Sequence, residues 1–251
     1  MSDFTISNEF TLPSKGLIYD PQIQPVIKLR SMTTEDEMKR LGHSERPNKI
    51  LCDIIDDCIV GNKPAISSYD MCLADYQFLL HSLRIVTYGT TYKLGSVCPY
   101  CASQNTHELD LSELEVREFS DDLRKYMEIT LPTTKKLLKL RPQTPHSLDD
   151  IAIRKKGSQK KGVETTSDMS LLYTLETIVD TVDGEHFDSF RLQNLLRKLP
   201  MADTNYILQS AKMLNEFMGL STDLTFVCPE CGLDYKSSFR ITSEFFGPSI
   251  N

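Results

Sequence analysis

No stretch of this chain approaches the roughly 18 consecutive apolar residues that a bilayer-crossing helix needs, which excludes a transmembrane helix on length. The opening MSDFTISNEF lacks both the basic and the apolar part of a signal peptide, so the expectation is a protein made and kept in the cytoplasm. Positive charge is in deficit: 28 Lys and Arg stand against 35 Asp and Glu, a net charge of −7. Nucleic-acid binders draw much of their affinity from neutralising phosphates, so this balance favours protein partners. The patterns GxxxxGK[ST], HExxH, GxSxG and GxGxxG are missing. Pro13-Ser14-Lys15-Gly16 lacks the leading glycine and spacing of a phosphate loop and reads as a turn. No nucleophile, base and orienting group can be combined into a catalytic set, and an enzyme is not expected. Tryptophan is absent too, which excludes nothing about function.

What remains is an ordinary globular composition, 40% hydrophobic and 25% charged over 251 residues, enough for one large domain or two small ones. Cysteine carries the first chemical signal. There are 7, an odd number, and four of them form two CxxC pairs: Cys98-Pro99-Tyr100-Cys101 and Cys228-Pro229-Glu230-Cys231. In a reducing compartment that pattern favours metal over disulfides. Two cysteines three positions apart, with a tight turn between them, present two sulfurs on one side of a knuckle, whose backbone amides can donate to the thiolates. Proline after the first cysteine presets the turn, and Gly232 permits a left-handed backbone just beyond Cys231. Strand-like runs flank both pairs, at 91–97 and 106–111, then at 224–227 and 235–241. The expectation is a zinc-ribbon-like four-cysteine site in which Cys98, Cys101, Cys228 and Cys231 share one structural Zn2+.

Half the chain lies between Cys101 and Cys228, whereas a simple ribbon separates its pairs by about 15–20 residues. An internal repeat accounts for the distance. Thr11-Leu12-Pro13 followed by Lys28-Leu29-Arg30 returns as Thr130-Leu131-Pro132 followed by Lys139-Leu140-Arg141. Acidic residues come soon after each, Glu35-Asp36-Glu37 and Asp149-Asp150. Leu73-Ala74-Asp75 and Met201-Ala202-Asp203 then open helical patterns leading to the two CxxC motifs. The predicted fold is α+β, built of tandem duplicated units at 1–120 and 121–251. Each unit is a β-hairpin, helices and a CxxC knuckle. Its second hairpin strand falls at 25–30 or 136–141. In the first copy Thr33-x-x-Asp36 resembles a capping box opening a short helix to Leu41. An amphipathic helix carries Ile50, Leu51, Ile54, Ile55, Cys58 and Ile59 in one copy, and Leu171, Leu172, Leu175, Ile178, Val179 and Val182 in the other. A last helix, at 74–87 or 203–218, ends at Gly89 or Gly219. The stretch 154–167, RKKGSQKKGVETTS, is almost without apolar residues and reads as a flexible basic loop.

Rival readings of the cysteines are two disulfide or redox pairs, a metal shared between two chains, an Fe–S cluster and a catalytic zinc; four cysteinates leave no open position for the last of these. Cys52, Cys58 and Cys72 lie in or beside helical patterns and are expected in the core. Only His107 lies near a knuckle; His43, His81, His146 and His186 lack spaced partners and read as structural or surface residues. The rival function is a nucleic-acid-binding zinc-ribbon protein such as a transcription accessory factor. Arg154, Lys155, Lys156, Lys160 and Lys161 in the basic loop, or Lys93, Lys236 and Arg240 near the knuckles, would serve it, but Glu108, Asp110, Glu230 and Asp234 offset the latter group.

The run FTLPSKGLIYD, then IKLRSMTTEDE, the helix ending LLHSLRIVTYG, and VCPYC resembles the baseplate hub assembly proteins of T4-like contractile-tailed phages. The likeness covers most of the first half, and the second CxxC extends it toward the end of the chain. It implies a late viral tail-morphogenesis role in host cytoplasm and in the tail baseplate. The protein would be a hub component or an assembly factor whose partners are other hub or tail proteins. No catalytic residues come with the resemblance.

Overall fold

The computed structural model describes residues 6–159, 168–238, 241 and 243–246. Alternation builds the first element. Ile27 and Leu29 of β2 (Val26–Arg30) turn inward while Lys28 faces water, and β2 pairs antiparallel with β1 (Ser7–Thr11). Thr33 then caps α1 (Thr34–Arg40) reciprocally: its hydroxyl accepts from the Asp36 N–H, and the Asp36 carboxylate accepts from the Thr33 N–H. Aspartate thus does what Glu or Gln usually does. In α2 (Pro47–Cys58), Leu51, Ile54, Ile55 and Cys58 form one buried stripe. The chain leaves α2 extended at Ile59, which bridges to Leu29. α3 (Leu73–Tyr88) is buried on nearly every side and stops at Gly89, whose φ of +84° suits glycine. The hairpin β3 (Thr91–Val97) with β4 (Gln104–Asp110) follows.

The chain runs on through β5 (Val116–Arg117), β6 (Glu128–Thr130), β7 (Leu137–Leu140), α4 (Pro145–Gln159), α5 (Ser170–Ile178), β8 (Val179–Val182), α6 (Ser189–Leu196), α7 (Met201–Glu216), β9 (Gly219–Leu220) and the hairpin β10 (Asp223–Val227) with β11 (Asp234–Ser238), all but β5 in the second half. Strands β6, β7 and β8 form one antiparallel sheet. Three local expectations need correction. The amphipathic stripe through Leu171 does not stay helical to Val182. The helix stops at Ile178, and Val179-Asp180-Thr181-Val182, with β-branched residues at all but Asp180, supplies a third strand beside β7. The basic stretch is not loop from residue 154, since α4 continues to Gln159. Arg154 is pinned there by a 2.8 Å ion pair with Glu176 and lies over the Tyr173 ring; residues 160–167, with Lys160 and Lys161, lie outside the described residues. Gly219 does not end α7, which finishes at Glu216 with Phe217 as its C-cap. It lies in β9 at φ +100°, where an added Cβ would come 2.9 Å from the Ala74 Cβ.

That close approach is one of several joints between the halves. Asp149 of α4 is buried at the N-terminus of α2, where its carboxylate accepts from the Lys49 N–H (3.1 Å), the Asn48 side-chain amide (2.8 Å) and the Tyr69 hydroxyl (3.1 Å). Negative charge is favoured at that end of a helix. The Leu73 N–H donates to the Gln143 carbonyl, and β5 pairs with β9. The C-terminal turn Ser243–Phe246 inserts Phe245 and Phe246 into the core of the first half, and the Phe245 carbonyl accepts from the buried Arg84 guanidinium at 3.2 Å.

Phe245→Ala should cost about 3–5 kcal/mol, as large-to-small core changes do, and lower the denaturation midpoint of the whole chain in one transition. An unchanged midpoint would mean that the turn contributes nothing to the core. Burial by itself would raise the Asp36 carboxyl, but the Arg30 guanidinium at 2.7 Å and the Thr33 donors outweigh it and hold the group below its ordinary value. A carboxyl with a lower pKa in the folded state stabilises above its unfolded value, and that contribution is lost as pH falls through the folded one. The stability gap between wild type and Asp36→Asn should therefore be full at neutral pH and close below about pH 4, as read from urea midpoints across pH.

Candidate metal centre

Each CxxC pair is the tip of a two-stranded hairpin, and backbone hydrogen bonds close the two tips alike. In the first, the Cys98 N–H donates to the Ser103 carbonyl (3.0 Å) and the Ala102 N–H to the Cys98 carbonyl (2.9 Å). In the second, the Cys228 N–H donates to the Leu233 carbonyl (3.0 Å) and the Gly232 N–H to the Cys228 carbonyl (2.9 Å). Both turns need a left-handed residue after the second cysteine. Gly232 adopts it freely at φ +73°, whereas Ala102 does so at φ +59° against the cost of its Cβ.

The hairpins then face one another and bring together all four predicted ligands. The sulfurs of Cys98, Cys101, Cys228 and Cys231 lie within 4.8 Å of one another. Across the interface, Cys98 and Cys231 are 3.8 Å apart at sulfur, and Cys101 and Cys228 3.6 Å. A tetrahedral ion with metal–sulfur bonds of about 2.3 Å sets its sulfurs about 3.8 Å apart, so the spacing fits such a centre. Cys98 and Cys228 are buried, and Cys101 and Cys231 are exposed.

The electrostatics favour a cation in the middle. The Ser103 hydroxyl first, with the N–H groups of Cys231 and Glu230, holds the Cys228 thiol down at about 5. Cys101 is lowered as well, by the Ser103 side chain and backbone. The Leu233 amide acts the same way on Cys231, yet partial desolvation and the three neighbouring sulfurs push that thiol up to about 12. Charge on the first thiolate opposes charge on the last unless a positive ion lies among them.

Beneath the sulfurs runs a polar seam that no spacing rule reveals. The buried Tyr235 hydroxyl lies 2.6 Å from Ser96 Oγ and 2.8 Å from His107 Nε2, and it accepts from Asn105 Nδ2 at 3.3 Å. The His107 ring stacks on Phe226 with centroids 3.9 Å apart, so this histidine joins the hairpins and is not among the clustered ligands. Alternation along β4 and β11 was the available signal, since Asn105 and Tyr235 are the inward positions. Cys52, Cys58 and Cys72 are buried as expected, and burial pushes all three thiols up, Cys58 to about 12. Cys72 also helps to start α3, its sulfur accepting from the Asp75 N–H at 3.5 Å. The charges around the tips are mixed: Lys93 stands opposite Glu108 in the β3–β4 register, and Arg240 lies outside the described residues.

Fold and site together define an α+β protein in which two hairpins bring four cysteines within reach of one metal ion. No helix among the described residues is long and apolar enough to cross a membrane. The model of the T4 bacteriophage base plate protein family matches residues 5–247, nearly the whole chain, and the chain belongs to that family. Membership points to a structural protein of a phage tail that contacts other tail proteins. No curated protein and no solved structure matches the chain significantly.

Purified from cells, the wild-type protein should carry a thiophilic metal by elemental analysis. Cys228→Ser should abolish that content while Cys72→Ser leaves it intact. Equal metal in both variants would remove Cys228 from the ligand set.

Proposed function

We propose that this chain is a non-enzymatic tail-morphogenesis protein acting at the baseplate hub, as a hub component or a hub assembly factor, and that structural zinc held by Cys98, Cys101, Cys228 and Cys231 stabilises it. The observation that carries this reading is the convergence of four sulfurs from two distant hairpins in a member of a base plate family. Zinc suits an all-cysteine shell, and four cysteinates close the coordination, so the ion would organise structure and activate no water. Structural zinc binds with apparent energies on the order of 10 kcal/mol, comparable with the whole stability of a domain. Such an ion would dictate how the two halves are held for their partners.

The proposed architecture is a duplicated unit, 1–120 and 121–251, each closed by a CxxC knuckle. Recurring buried detail supports it. The turn after Leu12-Pro13 is held by Asp75 at the start of α3, which accepts from the Ser14 N–H (2.9 Å) and the Ser14 hydroxyl. The turn after Leu131-Pro132 is held by Asp203 at the start of α7, which accepts from the N–H groups of Thr133 (2.7 Å) and Thr134 (3.0 Å). Lys15 and Lys135 take left-handed backbone in these turns, at φ +52° and +58°. Ile59 bridges to Leu29 just past α2, and Val179 pairs with Leu140 just past α5. The partners in this reading are other hub or tail proteins. The place of action is host cytoplasm during assembly and then the virion baseplate.

Deleting the gene from the phage should leave infected cells without complete baseplates or tails, as seen by electron microscopy of lysates, and supplying the wild-type chain in trans should restore them. Normal tails from the deletion would overturn the reading.

A further inference from the structure

The surroundings of the four sulfurs are not symmetric. Ser103 and Asn105 of the first hairpin both reach Cys228 of the second. Ser103 Oγ lies 3.2 Å from the Cys228 sulfur, and Asn105 Nδ2 lies 3.7 Å from it. The equivalent places on the second hairpin, counted from its first cysteine, hold Leu233 and Tyr235. Leu233 has no side-chain donor, and Tyr235 commits its hydroxyl to Ser96, Asn105 and His107. Cys228 is therefore held by side-chain donors from the opposite half of the chain, in a way that Leu233 and Tyr235 cannot reproduce for Cys98.

A ligated cysteinate has only lone pairs to offer, so each neighbouring N–H or O–H must donate to it. The Ser103 hydroxyl has one proton and two sulfurs at 3.2 Å, the buried Cys228 across the interface and the exposed Cys101 on its own hairpin. The Asn105 amide has two protons, and the Ser103 oxygen lies within reach of them, 3.2 Å from Nδ2. Asn105 is buried, and the Tyr235 hydroxyl is a further acceptor for its amide. Such outer partners orient a ligand and stabilise its charge, and losing one typically weakens metal binding by about 10–100-fold.

We infer that Ser103 and Asn105 are positioning residues for the metal, gripping Cys228 across the interface and setting how long the ion stays. This rests on the zinc reading above. The test is zinc release from the full-length protein to a colorimetric chelator, 4-(2-pyridylazo)resorcinol, with thermal midpoints measured in parallel. Ser103→Ala and Asn105→Leu should each release zinc at least about tenfold faster than wild type. Tyr235→Phe breaks the same seam one step further from the sulfur and leaves both donors in place. It should lower the thermal midpoint while changing the release rate far less than either donor variant does. In cobalt-substituted protein, Ser103→Ala and Asn105→Leu should also shift the sulfur-to-cobalt charge-transfer band, and Tyr235→Phe should not. Equal acceleration in all three variants would reduce the seam to general packing and overturn the inference, as would unchanged release from Ser103→Ala and Asn105→Leu. A wild-type protein that takes up neither zinc nor cobalt would overturn the metal reading itself, a different failure.

Discussion

Thiolates repel one another, and packing four cysteine sulfurs within 4.8 Å builds an electrostatic demand into the fold. Donors around Cys228 make it easy to ionise, while the neighbouring sulfurs make Cys231 hard to ionise. Only a cation lets all four carry charge together. Each pair sits at the tip of a hairpin from a different half, so any ion there bridges distant parts of the chain. The remaining contacts between the halves are what make that meeting possible.

Within the halves and between them one physical pattern recurs, in which buried carboxylates are satisfied by backbone N–H groups at turns and helix ends. Asp36 caps α1, Asp75 and Asp203 each hold a Leu-Pro turn, and Asp149 reaches from α4 to the start of α2. A buried carboxylate with several donors is stable where one without them would be costly. Apolar insertion adds to this, since Phe245 and Phe246 return from the far end of the chain to fill the core of the first half. For a structural component of a larger assembly, a scaffold joined at several independent points presents its surfaces in one fixed relation.

Much of the local structure was legible because its determinants lie within a few residues. Thr33 and Asp36 announce the start of α1, and alternation in Val26-Ile27-Lys28-Leu29-Arg30 announces a strand. Pattern and structure part where a distant neighbour decides. Val179 and Val182 continue the helical phase of Leu172 and Leu175, but the open edge of β7 captures them as a strand. Arg154 looked like part of a polar loop until Glu176 and Tyr173 gave its side chain a place on a helix. Gly219 looked like a helix stop, yet the close approach of Ala74 is what requires it.

From the sequence alone came the chemistry: which sulfurs could bind metal, that a turn separates the members of each pair, and that strands flank both. Those features depend on spacing within a single hairpin, which covalent geometry enforces. That the two pairs meet, and that Ser103 and Asn105 of one hairpin reach a sulfur of the other, only the tertiary structure decided. Half the chain intervenes between Cys101 and Cys228, and their separation is set by how helices, buried carboxylates and the C-terminal aromatics pack together rather than by any local rule.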